Sequence, residues 1–306
     1  MYQEFSFDSC GNGKIHVCKW VPECTPKAVV QIVHGIAEYA ARYDEFADYL
    51  VKNGYMVVAE DHMGHGGSIG PDDAKGYFSG GWFAAVKDTY RLLQLTREEY
   101  PDVPYILFGH SMGSFMVRTI LLEYPDSGIS GCVICGTGWM PELVMNSGLL
   151  LCKATCKRKG EKNPSDFLNM LIFGTYNKRV ERPKTNYDWL NRDARLVDLY
   201  VKDPLCGFVP SAGLLRDMLV GMLYNQKTEN LRKMKKDLPV YFIAGGDDPV
   251  GNYGKGVKLA AENFGKAGMQ NVLCKIYPLC RHEILNEINK QEVFNDVLNW
   301  LVKTLN

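Results

Sequence analysis

Ser111 stands between two glycines, in Gly109-His110-Ser111-Met112-Gly113, directly after the apolar run Tyr105-Ile106-Leu107-Phe108 and just before a helical stretch containing Phe115, Met116 and Val117. A serine hydroxyl is a weak nucleophile until a base takes its proton, and it must be lifted clear of the chain to reach a substrate. The order strand, tight turn, helix does the lifting, because small residues two before and two after the serine let strand and helix pack closely. The helix N-terminus then favours negative charge at the hydroxyl. The five letters alone recur by chance; the elements on either side make Ser111 a nucleophile candidate.

A serine needs a base, and the chain has six histidines, at 16, 34, 62, 65, 110 and 282. Four precede the serine, and His110 adjoins it with its side chain expected to point the opposite way. His282 alone gives the chain order serine, acid, histidine. It also follows an apolar run by a short loop, Pro278-Leu279-Cys280-Arg281, where ligands gather at the carboxyl ends of parallel strands. The acid should end another strand between the two. Val240-Tyr241-Phe242-Ile243-Ala244 runs into Gly245-Gly246-Asp247-Asp248-Pro249-Val250, and two aspartates compete. Asp248 is favoured, three residues past the glycine turn and fixed by the proline after it; Asp247 is the alternative.

Acyl transfer also needs donors for an oxyanion. The backbone N–H of Met112, next after the serine, is one, and the loop Val33-His34-Gly35-Ile36 after an earlier strand supplies the second, at Ile36. The His34 side chain is expected to order that loop without transferring a proton. Asp61-His62-Met63-Gly64-His65-Gly66-Gly67-Ser68 has the residue types of a metal site, but three glycines and no helical period read as a turn-rich loop. Neither metal nor cofactor is expected.

These residues need a scaffold. Short apolar runs at 15–20, 28–34, 55–59, 105–109, 131–136, 240–244 and 271–277 read as strands, most of them buried on both faces of a largely parallel sheet. Helical stretches at 42–53, 82–100, 112–124, 256–267 and 292–305 would cover those faces, with Gly54 and Pro101 as stops. Residues 139–236 break the rhythm. They are helical and polar with bulky apolar residues such as Leu149, Phe167, Met170 and Met222, and they read as a cap inserted into a core made of 1–138 and 237–306. From 152 to 184 the cap carries nine Lys and Arg against three acids. Either this is a solvated face, or the basic, apolar-lined cap meets lipid head groups or an anionic substrate.

Composition excludes several classes. Lys plus Arg is 35 and Asp plus Glu is 35, so the 306-residue chain has no basic footprint for a nucleic acid. Its 46% hydrophobic content supports a substantial core. No basic leader precedes an apolar run and no stretch of about 18 apolar residues occurs, which reads as a soluble, cytoplasmic protein. The ten cysteines are then expected as free thiols, with Cys132 and Cys135 in a buried strand and no histidine near to complete a zinc site.

Taken together, His34-Gly35-Ile36-Ala37-Glu38 with Arg42-Tyr43, the glycine-rich stretch from Asp61 to Ser68, the Ser111 turn, the Asp247-Asp248 turn and His282 resemble the α/β-hydrolase superfamily. The resemblance is closest to its monoacylglycerol lipase and lysophospholipase-like branch, grouped with the serine aminopeptidases. It departs at Tyr39, where histidine is common, and at Ser114, where glycine is common. The resemblance implies an α/β-hydrolase fold, a Ser111, His282 and Asp248 triad, and a small single-chain acyl ester as substrate. A peptidase would use the same triad and hold a peptide amine on an acid of the cap, Glu142 or Asp166. A non-catalytic binding module of this fold would commonly lack a triad member.

Overall fold

Strands β3 (Val29–Val33), β4 (Met56–Glu60), β5 (Tyr105–His110), β6 (Gly131–Cys135) and β7 (Val240–Gly245) are buried at every position, which is why they read as unbroken apolar runs. In this computed structural model, which describes residues 1–70 and 73–306, they form the centre of one sheet. Its order is β1 (Tyr2–Asp8), β2 (Lys14–Trp20), β4, β3, β5, β6, β7 and β8 (Val272–Tyr277). β1 and β2 pair antiparallel, as do β2 and β4; all later neighbours are parallel. β1 was not expected. It is an edge strand whose residues are almost all exposed, so it carries no buried run to read. β8 forms the opposite edge, and Leu273 there is 56% exposed, so this run is not covered on both faces.

Alternate residues of each central strand enter two separate cores. Val30, Ile32, Ile106, Phe108, Val133 and Ile243 pack with α1 (Asp44–Lys52) and α10 (Lys290–Leu305), where Phe46 lies between the rings of Phe108 and Phe294 at 5.4 and 4.9 Å. Deleting an aromatic ring from such a place costs about 3–5 kcal/mol. Val29, Val33, Leu107, Ile134 and Phe242 face the other way, onto α2 (Trp82–Glu99), α3 (Met112–Glu123) and, through Val257, Ala260 and Phe264, the later helix α9 (Lys255–Lys266). Sheet and helices thus form three layers, and the ends of β3, β5, β6, β7 and β8 share one rim.

Between β6 and β7 the chain forms α4 (Glu142–Lys159), α5 (Asp166–Phe173), α6 (Ala194–Lys202), α7 (Ala212–Gln226) and α8 (Thr228–Leu231). The only β pairing among the described residues of this stretch is one bridge, Pro164 with Ser211. α7 anchors it to the core: Asn225 donates to Phe115 O at 2.7 Å and accepts from the Thr119 hydroxyl at 2.9 Å. Gly221 lies flat on Trp82, where a Cβ would fall 2.0 Å from the indole. All ten cysteines are free thiols, and no helix among the described residues is long and apolar enough to cross a membrane.

Candidate active site

The turn from β5 to α3 holds Ser111 at φ 52° and ψ −119°, outside the regions that L-residues favour. Such a conformation costs on the order of 1–3 kcal/mol and persists only where its surroundings impose it. They do so tightly. A Cβ on Gly113 would fall 2.0 Å from Val33 O, and one on Gly109 would fall 2.6 Å from Gly113 O, so only glycine fits on either side of the serine. The Ser111 amide donates to Cys135 O at 3.0 Å, and its carbonyl accepts from the Ser114 hydroxyl at 2.5 Å. Ser114, one departure from the resembling family, therefore clamps the strained turn, a role its sequence position does not reveal.

His282 follows β8, and its Nδ1 lies 2.9 Å from Asp248 Oδ2. The second Asp248 oxygen accepts the Val250 N–H at 2.9 Å, and the carboxylate is fully buried. Asp247 is exposed, and its amide donates to Cys280 O at 2.9 Å. Geometry therefore brings Asp248, not Asp247, to the histidine. The His282 ring lies 5.1 Å from Trp189 and 4.7 Å from His110. Ser111 and His282 line the same cavity, with no hydrogen bond between their side chains. Such contacts commonly close only when substrate is bound.

His110 was expected to point away, yet it reaches the cavity wall and supports its neighbours. Its Nδ1 is 3.0 Å from Glu38 Oε1, which also accepts from the Tyr43 hydroxyl at 2.9 Å and the Gly35 N–H at 2.6 Å. Arg42 bridges Glu38, at 2.7 Å, to Glu283, at 2.8 Å. Burial alone would lower the His110 pKa, but the Glu38 hydrogen bond and charge outweigh it and raise it. Burial likewise opposes the Glu38 charge, and His110 and Arg42 together hold that carboxyl below its ordinary range. This buried network ties the loop after β3 to the residue following His282.

Ile36 lies on the cavity wall, and Met112 is buried at the first position of α3. Among the described residues neither backbone N–H has a protein acceptor, as oxyanion donors require. The next residue, Ala37, is held at φ 54°, and its carbonyl accepts from both the Tyr200 hydroxyl and the Gly207 N–H at 3.0 Å. The inserted segment therefore fixes the loop that offers Ile36. His34 orders the same loop: its Nδ1 is 2.7 Å from Gly35 O, and its Nε2 accepts the His62 N–H at 3.0 Å. His62 and His65 also turn their rings to backbone carbonyls, at 3.0 and 2.9 Å. Burial lowers the pKa of all three histidines, and that of His65 falls to about 3.

The cavity has a volume of about 500 Å³. Its floor is Ile36, Ser111 and His282, and its roof comes from the inserted segment, including Met170, Phe173, Trp189 and Phe208. Asp166 lines it and Glu142 does not. None of the nine basic residues between 152 and 184 reaches its wall. Tyr39, the other departure, does not line it either, and binds Asp203 through its hydroxyl at 2.8 Å.

The fold and the resemblance agree with comparisons to known proteins. The chain is 28% identical to a monoacylglycerol lipase of Mycolicibacterium smegmatis, covering 99% of this chain and 98% of that one. It is 26% identical to the human monoglyceride lipase, over 98% of this chain and 91% of that protein. A thermostable carboxyl esterase of Bacillus coagulans, solved in complex with glycerol, superposes with a TM-score of 0.89 at 30% identity, covering 100% of this chain and 99% of that one. A monoglyceride lipase of Saccharomyces cerevisiae, at 21% identity and a TM-score of 0.80, shares the fold over 99% of this chain and 94% of that one. The family profile described as serine aminopeptidase, S33, matches residues 24–289, and the chain, an α/β-hydrolase in fold, belongs to that family.

Proposed function

We propose that this protein is a serine hydrolase of carboxylic esters, acting on single-chain acyl esters with an uncharged polyol head group, monoacylglycerols foremost. The observation that carries the reading is the buried Asp248–His282 pair, 2.9 Å apart, whose histidine lies on the wall of the cavity that Ser111 also lines. Nε2 of His282 takes the Ser111 proton as Oγ attacks the ester carbonyl, and the Ile36 and Met112 amides receive the oxyanion. Collapse of the tetrahedral adduct expels the alcohol, which leaves with the proton from His282. Water, deprotonated by the same nitrogen, then cleaves the acyl-enzyme, releasing the fatty acid and restoring Ser111.

The wall chemistry supports a neutral head group. Met170, Phe173, Trp189, Leu190 and Phe208 suit an acyl chain, and Asn169 and Asn186 suit hydroxyls. Among the described residues no Lys or Arg lines the cavity to pair with a phosphate, and Asp166 would oppose one, so we rank lysophospholipids second. The cap's positive charge lies outside. Leu143, Leu150, Phe167, Met170 and Leu171 on α4 and α5 are more than half exposed, and Lys153, Lys157, Arg158 and Lys159 lie on the same α4. Apolar side chains beside cations favour transient contact with an anionic lipid surface, from which a substrate could enter past Met170.

The test is hydrolysis of nitrophenyl esters from acetate to palmitate, with monoacylglycerol and lysophosphatidylcholine alongside. Wild type should turn over the long esters and monoacylglycerol, and Ser111→Ala should abolish both turnover and fluorophosphonate labelling. Labelling that survives in Ser111→Ala would refute the nucleophile, and activity confined to acetate would refute the acyl-chain reading. Asp166 on the wall favours one second reading, an aminopeptidase that holds a substrate amine there. Aminoacyl nitroanilides cleaved faster than the esters would select it.

A further inference from the structure

The edge hairpin gathers side chains that the catalytic site does not use. Register sets Glu4 opposite Cys18 and Ser6 opposite His16, so Glu4, Cys18 and His16 fall on one face of β1 and β2. One potential ligand atom from each lies within 4.8 Å of the others, and Glu4 Oε2 is 3.7 Å from His16 Nε2. The ring of His16 is already oriented. Its Nδ1 lies 3.0 Å from Asp61 Oδ2, which turns Nε2 toward Glu4 and Cys18, and its face rests on Gly67, where a Cβ would fall 2.8 Å from the ring. Asp61 is fixed in turn by the Gly67 N–H at 2.8 Å and the Ala40 N–H at 2.7 Å. A histidine whose far nitrogen is held by a buried carboxylate is the arrangement that orients and strengthens imidazole ligands in metal sites. Tyr2 completes the frame, donating to Glu4 Oε1 at 2.5 Å and reaching Cys18 Sγ at 3.2 Å, which leaves Oε2 free.

We propose that Glu4, His16 and Cys18 form a binding site for a divalent cation of the zinc class, with the fourth position open to water. Thiolate, imidazole and carboxylate together are a zinc-type ligand set. Metal–ligand distances of about 2.0–2.3 Å place tetrahedral ligands roughly 3.3–3.8 Å apart. The Glu4–His16 pair is within that range, and the three ligand atoms, all within 4.8 Å of one another, need only small side-chain adjustments to converge on one ion. Binding displaces the Cys18 thiol proton and any proton on His16 Nε2, so affinity rises with pH. Occupancy ties the exposed strand β1 to β2 and, through Asp61, to the Ala40 turn beyond the oxyanion loop.

The test is titration of the chelator-treated full chain with Co²⁺, followed by displacement with Zn²⁺. One equivalent should give tetrahedral bands and a thiolate-to-cobalt charge-transfer band, both removed by Zn²⁺. Cys18→Ser and His16→Ala should lose the charge-transfer band, and Glu4→Gln, a change on an exposed strand that leaves the fold intact, should weaken binding by more than roughly tenfold. A triple variant of the exposed thiols, Cys10→Ser, Cys24→Ser and Cys274→Ser, should keep the band. Absence of the band in wild type, its survival in Cys18→Ser, its loss in the triple variant, or full affinity in Glu4→Gln overturns the proposal.

Discussion

Nδ1 of His282 meets Oδ2 of Asp248 at 2.9 Å, while Asp247, one residue earlier, faces solvent. An amide in place of the buried carboxylate leaves the shape but favours the wrong histidine tautomer, a change worth about 10⁴ in kcat in a serine protease triad. Asp248→Asn should therefore lose most ester turnover, and Asp247→Asn should keep it. Steady-state kinetics of both variants on one nitrophenyl ester decide the matter, and the reverse result would move the acid to Asp247.

The Tyr200 hydroxyl reaches Ala37 O at 3.0 Å and so helps hold the Ile36 amide in place. Losing an oxyanion donor outright costs about 10²–10³ in kcat, and loosening its support should cost less. Tyr200→Phe is expected to lower kcat by roughly tenfold at most, with KM nearly constant because the ring remains. A rise in KM at constant kcat would instead make Tyr200 a substrate contact.

Acid should destabilise the fold through His34, His62 and His65, against a smaller opposing contribution from the single ring of His110, whose pKa Glu38 raises despite burial. The folded pKa values of His34, His62 and His65 lie below the ordinary 6.5, so below that pH the unfolded chain binds protons the folded one refuses. Their contribution is complete above about pH 6.5 and is lost as pH falls toward each folded value, by about 1.4 kcal/mol per pH unit for each ring. Glu60 works in the opposite sense. Burial raises its pKa from 4.5 to about 7, so its contribution weakens as pH rises through that window. Thermal melts between pH 7 and 4.5 should show falling stability, with a shallower slope in His65→Gln; equal slopes would remove His65 from the account.

Two glycine-to-alanine changes should act in opposite directions. At Gly113 the new methyl would meet Val33 O at 2.0 Å, and the expected result is a protein that loses both the turn and its stability. Gly265, exposed in α9, has nothing within 4 Å of where an added methyl would sit, and Gly265→Ala should stabilise by about 0.5–1 kcal/mol. Denaturant melts of the two variants check both signs.

Leu150 and Leu171 are 69% and 52% exposed and do not line the cavity. The double variant Leu150→Ser and Leu171→Ser should weaken binding to anionic vesicles by roughly tenfold, a change of about 1.4 kcal/mol. Turnover of dissolved nitrophenyl acetate should not change. Unaltered vesicle binding, measured by co-sedimentation, would separate these side chains from any lipid surface.

What the sequence reveals follows from how local each cause is. Ser111 is legible because its strand, turn and helix are contiguous, and the central strands are legible because burial on both faces leaves an apolar run. β1 is hidden because it is an exposed edge. The choice between Asp247 and Asp248 depends on which side chain turns inward, and only packing shows it: Asp248 is buried against His282 while Asp247 is exposed. The Glu38, Arg42 and Glu283 network joins residues more than 240 positions apart, and Glu4, His16 and Cys18 meet only through strand register. No local pattern encodes either.

The inserted segment leaves the sheet at β6 and returns at β7, two strands that are hydrogen-bonded neighbours with Cys132 opposite Val240. Because these strands are parallel, the chain leaves at the carboxyl end of β6 and returns at the amino end of β7, with α7 crossing back along the core between them. The stretch before α7 that roofs the cavity could be exchanged for another of different length without moving Ser111, Asp248 or His282. The exchange has one condition. Tyr200 and Gly207 both hold Ala37 O, so a new roof must bring two donors to that carbonyl. Substrate range can diverge in this scaffold by replacing a roof, provided the replacement keeps its grip on a single backbone oxygen.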